Sequence, residues 1–155
     1  MTGGSIYAFI ACQLFVVLFI AFHDWIPLGR LNNLAAIRSV DSLAKRIIVT
    51  ALSALPFAVG LAGSIYYAST SFPGWLDWTL WLSYGIGSYG LLRAWYIPYL
   101  LIPDPARAAR YQQRFDQTHA FLPTRNGIRP DTLHVCFHAV YLVLITLLVK
   151  ITIVG

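Results

Sequence analysis

The sequence predicts an all-α polytopic membrane protein with four transmembrane helices in one antiparallel bundle. Of the 155 residues, 58% are apolar and only 11% are charged, whereas soluble domains carry about 25% charged residues. The apolar residues are also concentrated in four long runs, and most of the charge lies in the connections between them. No shift in composition divides the chain, so we expect residues 1–155 to form a single integral membrane domain.

The four apolar runs cover about residues 5–22, 47–68, 75–102 and 133–154. At the helical rise of 1.5 Å per residue, each run is about 27 Å or longer, which matches a hydrocarbon core of about 30 Å. Buried helices of a soluble bundle can be as apolar, but too few charged residues are left here to coat a soluble surface. We expect no cleaved signal peptide, because the first run is long enough to span and no basic segment precedes it.

Positive charge sets the expected orientation. The first connection carries four Lys or Arg residues and the third carries five, whereas residues 69–77 carry none. Cytoplasmic loops are enriched in Lys and Arg, so we expect connections one and three in the cytoplasm and both termini outside the plasma (inner) membrane. Aromatic residues typical of membrane surfaces mark the ends of the third run: Trp75, Trp78 and Trp81 outside, and Trp95, Tyr96 and Tyr99 inside. Orientation accounts for the net charge of +5, so nucleic acid is not an expected partner.

Shorter signals predict structure between the runs. Asn32 or Asn33 can cap a helix that carries Leu34, Ile37 and Val40 on one side. A turn is predicted at residues 125–127, where asparagine precedes glycine. The last helix is expected to start at residues 130–132, with an aspartate at its positive end.

The third connection is predicted to hold a short amphipathic helix. Asp104 can cap it and Pro105 suits its first position, and we expect it to extend to about Gln117. Its apolar face carries Ala108, Tyr111 and Phe115, and its basic face carries Arg107, Arg110 and Arg114. This pattern favours a helix in the membrane interface with arginines near anionic headgroups. The equally weighted alternative is a basic face in water whose charge only sets the orientation.

Small residues at helical spacing predict close contact between the second and third spans. They are Pro56, Gly60 and Gly63 on one helix, and Ser83, Gly87, Gly90 and Ala94 on the other. In lipid, small residues let helix backbones approach and gain packing. The alternative is chance, because glycine is common in membrane helices. The two cysteines, Cys12 and Cys136, fall in opposite leaflets and are predicted to be free thiols.

A polar site is expected at the cytoplasmic end, where all four histidines fall. The candidate ligand-binding residues are Arg93, His119, Arg125, Arg129, Asp131, His134, His138 and Tyr141. His134 and His138 are four residues apart and therefore share one face of the last helix. His23 and Asp24 end the first helix, and together with His138 they are the catalytic candidates. We expect Arg93, Asp24 and the histidines to face a common cavity, because an Arg or Asp facing lipid costs about 2.5–3.5 kcal/mol.

Three functions are consistent with this pattern. The first is a pocket that binds a lipid-soluble or anionic-headgroup ligand, with histidine and aspartate available to move protons should the ligand also be transformed. The second is an accessory subunit that docks on other membrane proteins or on a second copy. The third is a haem or metal redox site whose candidate ligands are His23, His134 and His138. The third is not favoured, because a single pair of histidines four residues apart is a weak signal and four histidines are fewer than histidine-box oxygenases need. The absence of glutamate also excludes a carboxylate-bridged di-iron centre. Membrane lipids are the expected partners.

The segment from Arg129 to His134, with the sequence RPDTLH, precedes the last apolar run. It is similar to a short segment of the sigma-2 receptor family of four-helix, sterol-binding membrane proteins. The resemblance covers six residues, and Asp24 is the one acid that corresponds to that family's buried acids on the first two helices. Membership in the family is therefore not assigned.

Overall fold

The computed structural model describes residues 3–154, and this part of the chain is all-α. Residues 1, 2 and 155 lie outside the described residues. The predicted location of both termini outside the membrane therefore concerns residues that are not described. The described part contains six α-helices: α1 Gly3–Phe22, α2 Leu34–Val40, α3 Leu43–Tyr66, α4 Gly74–Leu91, α5 Pro105–Phe115 and α6 Thr132–Val149. A 3-10 turn at Gly29–Leu31 precedes α2, and π-helical turns extend α4 over Leu92–Leu101 and α6 over Lys150–Val154.

Within residues 3–154, three segments are long and apolar enough to cross a membrane: Gly4–Phe22, Leu43–Tyr66 and Thr132–Ile153. They coincide with the first, second and fourth predicted runs, so the chain is a helical membrane protein. The predicted third run is helical from Gly74 to Leu101, with Pro98 inside its π-helical part, where a residue without a backbone N–H interrupts the regular ladder. Large apolar side chains such as Leu52 and Leu142 remain exposed on the folded chain, as is typical of helices that lipid surrounds.

Helix α1 packs against α3 and α6, α3 packs against α4, and α2 packs against α5. Phe9, Leu80 and Leu144 are fully buried between the long helices. A methyl group added at Gly63 would come 2.6 Å from Leu76 Cδ1, and one at Gly60 would come 2.9 Å from Leu80 Cδ2. The small residues of α3 therefore lie where leucines of α4 pack. On α4, Gly87 leaves space for the Tyr141 hydroxyl of α6 and for the Phe57 ring of α3, whereas a methyl group at Gly90 would meet nothing within 4 Å.

The predicted helix starts are confirmed. In each, a side-chain oxygen accepts a hydrogen bond from the first turn: Asn33 from the Ala36 N–H at 3.1 Å, Asp104 from Arg107 at 3.0 Å, and Asp131 from His134 at 3.1 Å. The turn also forms where it was predicted, with positive φ angles at Asn126 (50°) and Gly127 (75°), a conformation that suits these two residue types. Helix α5 ends at Phe115, slightly before the predicted Gln117. Cys12 and Cys136 are free thiols, as predicted.

Candidate functional site

A buried aspartate, Asp41, organises one end of the bundle, which we call the polar end. The polar end comprises residues 23–46 and 102–134. Asp41 lies between α2 and α3, is 5% exposed, and accepts hydrogen bonds from three cations: Lys45 Nζ at 2.6 Å, Arg110 Nη2 at 2.9 Å and Arg114 Nη1 at 2.8 Å. Burial disfavours the charged form, but the hydrogen bond from Lys45 and the charges of the two arginines outweigh it and lower the pKa of Asp41. Asp41 thereby ties α5 to the corner between α2 and α3.

Arg114 joins Asp41 to a second carboxylate. Its Nη2 forms an ion pair with Asp24 Oδ2, and its buried Nε has no acceptor in the described part of the chain. Arg46 supports the same corner from α3: it is 7% exposed, donates to the main-chain oxygen of Asp24 at 2.7 Å, and lies 4.2 Å above the ring of Trp25. The sequence indicated only a positive charge at Arg46 and Arg114. In the structure both side chains bind Asp24, at the end of α1.

His23 is held between a carbonyl and a carboxylate. Its Nδ1 lies 2.8 Å from the Phe19 carbonyl oxygen, and its Nε2 lies 3.2 Å from Asp24 Oδ1. Burial lowers the pKa of His23; Asp24 opposes this effect and His134 adds to it. In the neutral imidazole that donates from Nδ1, Nε2 carries no proton, and Asp24 Oδ1 is left without a hydrogen bond. The pair can therefore accept a proton between His23 Nε2 and Asp24 Oδ1.

The second histidine of the site, His134, is oriented by Asp131. The Asp131 carboxylate is 1% exposed, and its Oδ2 lies 2.7 Å from His134 Nδ1. Burial raises the pKa of Asp131, but the hydrogen bond and charge of His134 outweigh it, so the net effect is a lowered pKa. With Nδ1–H donating to Asp131, the other ring nitrogen of His134 is left as an acceptor. The His134 ring also contacts Trp95 and His23, at centroid distances of 4.8 and 5.5 Å.

Two cavities meet at Trp95 and His134. The first, of about 470 Å³, we call the arginine cavity; it is lined by Trp95, Asp104, Ala106, Arg107, Arg110, Tyr111, Arg114, Phe115 and His134. The second, of about 540 Å³, lies between the long helices, and we call it the apolar cavity. Its lining includes Phe19, Ile20, Leu52, Phe57, Ile86, Leu91, Ala94, Trp95 and Phe137, with His23, Ser53, Ser83, His134 and Tyr141 as polar members. A charged space and an apolar space thus share one wall.

The apolar face of α5 forms the other side of this wall. The rings of Tyr111 and Phe115 pack at a tilt against Trp95, at centroid distances of 4.6 and 5.7 Å. The Tyr111 hydroxyl donates to the Ala94 carbonyl at 3.1 Å. Burial raises the pKa of Tyr111, although Arg107 opposes this effect. The apolar face of α5 therefore packs on the π-helical segment Leu92–Leu101 that extends α4.

The remaining predicted site residues lie around the two cavities. His119 bonds to Thr132 Oγ1 through Nδ1 (2.7 Å), Arg129 donates to the Thr118 carbonyl (2.9 Å), Tyr141 donates to the Tyr84 carbonyl (2.8 Å), and Arg125 lies 5.9 Å from the ring centre of Tyr99. Arg93 is exposed and lines neither cavity. The pKa of Asp104 is lowered, chiefly by the backbone hydrogen bond from Arg107, and the charge of Arg93 adds to this effect. The structure therefore brings His23, Asp24, Asp131 and His134 together and leaves Arg93 and Arg125 at the periphery.

The histidines do not form a metal-ligand set within residues 3–154. No three His, Cys or Asp side chains of this range are grouped to share an ion. His134 and His138 are 6.5 Å apart between ring centroids. Both ring nitrogens of His23 and one of His134 face protein oxygens.

Sequence reasoning did not identify three residues of the site: Asp41, Arg114 as an ion-pair partner, and Trp95 as a cavity wall. Asp41 carried a usable signal, because it is the one acid between Arg30 and Arg46 in a segment with four basic residues. Its partners Arg110 and Arg114 lie 69 and 73 residues away in the chain, so no local pattern links them.

Comparison with known proteins assigns neither a family nor a function to this arrangement: no family model matches the chain, and no curated protein or solved structure matches it significantly. The function must therefore be inferred from the site itself.

Proposed function

We propose that this protein binds an anionic phospholipid, with the headgroup in the arginine cavity and an acyl chain in the apolar cavity. The observation that carries the proposal is the shared wall at Trp95 and His134, which separates a charged space from an apolar one. An amphipathic molecule that lies across this wall places each of its two halves in a matching environment.

The proposal includes a membrane topology. The helical segment Gly74–Leu101 serves as a fourth span, antiparallel to α3, and the polar end faces the cytoplasm of the plasma (inner) membrane with both termini outside. Helix α5 then lies at the membrane surface, with its apolar side packed on Trp95. This arrangement places the arginine cavity at headgroup depth and the apolar cavity within the hydrocarbon layer.

The arginine cavity has more positive than negative charge in its lining. Arg107, Arg110 and Arg114 line it with one carboxylate, Asp104. Arg110 is half exposed and Arg107 is 27% exposed, so both retain donors toward solvent after pairing with Asp41 and Asp104. Guanidinium groups bind phosphate through paired N–H donors. The net positive charge of the lining favours a headgroup whose phosphate has no balancing cation over a zwitterionic or neutral headgroup.

The histidines extend this proposal to chemistry. His23, whose Nε2 is beside Asp24, lines the apolar cavity, and His134 lines both cavities. A bond of the ligand near the shared wall would lie close to a proton acceptor held in place by Asp131 or Asp24. If the bound lipid is transformed, His134 and the His23–Asp24 pair are the general-base candidates.

Lipid selection by the purified protein tests the proposal. The full chain is reconstituted in nanodiscs that contain phosphatidylglycerol and phosphatidylcholine, and retained lipid is quantified by native mass spectrometry. We expect enrichment of phosphatidylglycerol, reduced about tenfold by combined Arg107→Gln and Arg110→Gln substitutions, because charge-assisted hydrogen bonds contribute about 1.5–3 kcal/mol. Arg38→Gln, which removes an exposed charge outside both cavities, is the matched control.

A cavity-filling variant provides the second arm. Ala94→Trp places a large side chain in the apolar cavity and should remove lipid retention without changing the arginines. If neither lipid is enriched, or if these variants alter only association with another membrane protein, the lipid-binding proposal is rejected and the accessory-subunit hypothesis is supported.

A further inference from the structure

A third cavity, of about 250 Å³, lies on the other side of Trp95, and we call it the aromatic pocket. Its walls include Trp95, Tyr96, Tyr99, His138, Ala139 and Leu142. No Lys, Arg or Asp lines it, so it does not suit the headgroup of an anionic lipid. Leu142 and Tyr96 are 67% and 39% exposed, which opens the pocket laterally toward the lipid around the bundle.

His138 has a hydrogen-bonding atom that the folded chain does not satisfy. Its Nε2 is buried and has no hydrogen-bond partner among the described residues. His138 lines the aromatic pocket and neither of the other two cavities described above. The ring of Trp95 lies beside it, 5.7 Å away between ring centroids. A buried polar atom without a partner costs about 1–3 kcal/mol, so a ligand that supplies one is favoured.

The walls also select the shape of the ligand. The rings of Trp95 and Tyr96 both contact the ring of His138, with centroid distances of 5.7 and 5.4 Å. Aromatic walls of this kind favour a flat conjugated ring, which can stack or make edge contacts with them. A ring that carries a carbonyl oxygen can in addition accept a hydrogen bond from an imidazole or indole N–H.

We propose that the aromatic pocket binds the headgroup of a membrane quinone, with a quinone carbonyl oxygen accepting a hydrogen bond from His138 Nε2–H. The isoprenoid tail leaves past Leu142 into lipid. This site is separate from the proposed phospholipid site: the two have different linings and share Trp95, so each can be disabled without the other.

Saturation binding of decylubiquinone tests this assignment. Tritium-labelled decylubiquinone is titrated onto the full chain in phosphatidylcholine nanodiscs, and binding to empty nanodiscs is subtracted. We expect saturable binding at one site per chain. His138→Phe should weaken it about three- to tenfold, because it removes one hydrogen bond of about 0.5–1.5 kcal/mol while keeping a ring in place. Ala139→Trp, which fills the pocket, should abolish it.

Val143→Trp is the control for Ala139→Trp, since Val143 is exposed on the same helix outside the three cavities. Elution from size-exclusion chromatography verifies that each variant is folded. Absence of saturable binding, or binding that Ala139→Trp leaves unchanged, overturns the proposal, and loss with Ala139→Trp but not with His138→Phe overturns the role of His138. Arg107→Gln with Arg110→Gln should leave quinone binding unchanged, so the outcome is independent of the phospholipid experiment.

Discussion

The two ends of the bundle are stabilised by different interactions. All ion pairs among residues 3–154 lie at the polar end, where Asp24, Asp41 and Asp131 are each less than one-fifth exposed. The opposite end, which comprises residues 67–81 and 150–154, uses aromatic contacts and single hydrogen bonds. Trp81 Nε1 donates to Thr152 Oγ1 at 3.1 Å, and Tyr67 meets Trp75 edge-on at 6.2 Å.

The two ends therefore have different roles: the aromatic end anchors helices at the membrane surface, and the polar end forms the site. Aromatic side chains at a membrane surface position helices without burying charge. Buried ion pairs do bury charge, and desolvation offsets much of their attraction, so they contribute little to stability compared with apolar packing. An end that nonetheless places three carboxylates against arginines and histidines is organised to hold polar groups in a defined geometry. The following predictions test this contrast, from the largest expected effect to the smallest.

The largest effect is expected from Asp41→Asn. Loss of this carboxylate leaves Lys45, Arg110 and Arg114 without their shared partner and should lower the free energy of unfolding by about 3 kcal/mol. This is the low end of the range for breaking a buried pair, because Lys45 and Arg110 reach solvent. Unfolding by SDS titration measures the change. Asp104→Asn, at an exposed ion pair, is the control and should change stability little; equal effects of the two variants would contradict the central role of Asp41.

Residues 75 and 76 of the opposite end pack closely against Gly63 of α3, which lies just outside that end. Gly63→Ala should lower the free energy of unfolding by about 1–2 kcal/mol, because the new methyl group overlaps Leu76 Cδ1 and crowds Trp75. Gly85→Ala has open space around its Cβ position and should be neutral or stabilising by up to about 1 kcal/mol. Both variants are compared in the same SDS titration. A destabilised Gly85 variant together with an unaffected Gly63 variant would refute the packing described for α3 and α4.

A smaller effect is expected from Trp81→Phe. The substitution keeps an aromatic ring but removes the hydrogen bond to Thr152, at a cost of about 1 kcal/mol. Trp78→Phe serves as the matched control, because Trp78 is 77% exposed and makes no hydrogen bond among the described residues. Thermal unfolding followed by near-UV circular dichroism distinguishes them. A larger loss for Trp78 than for Trp81 would show that surface anchoring outweighs this contact.

The smallest effect concerns pH and is tested at His23 of the polar end. Folding lowers the pKa of His23, so below about pH 6.5, its unfolded value, the unfolded chain binds a proton that the folded chain resists. Stability is therefore fully present above pH 6.5 and falls as the pH decreases toward the folded pKa. His23→Gln should flatten this part of the curve of melting temperature against pH, measured by scanning fluorimetry. If the melting temperature of the wild-type protein increased as the pH was lowered from 7 to 5, the direction of the predicted pH dependence would be wrong.

Asp41 gives a second, more acidic dependence with the same direction. Its folded pKa is lowered, so its contribution is present above the unfolded value of about 3.9 and is lost as the pH falls through the folded value. Asp41→Asn should remove this loss and leave the His23 effect in place.

Local sequence signals determined the helices and their starts. The apolar runs are long enough to span, and short polar side chains at Asn33, Asp104 and Asp131 satisfy the N–H groups of the turn that follows each of them. These interactions involve residues three or four positions apart, so a single stretch of sequence contains both partners. The turn at Asn126 and Gly127 was predictable for the same reason, because its backbone angles depend on the two residues themselves.

Tertiary structure decided which polar groups meet. The Arg114 guanidinium could have faced lipid headgroups, water or a carboxylate, and its pairing with Asp41 and Asp24 depends on how α5 docks against α2 and the end of α1. Likewise, an aromatic residue at a helix end, Trp95, was predicted as a surface anchor. The packing of α5 made it the wall common to three cavities. The sequence determines the chemistry of each side chain, but packing determines which side chains many residues apart become partners, because burial makes an unpaired charge costly.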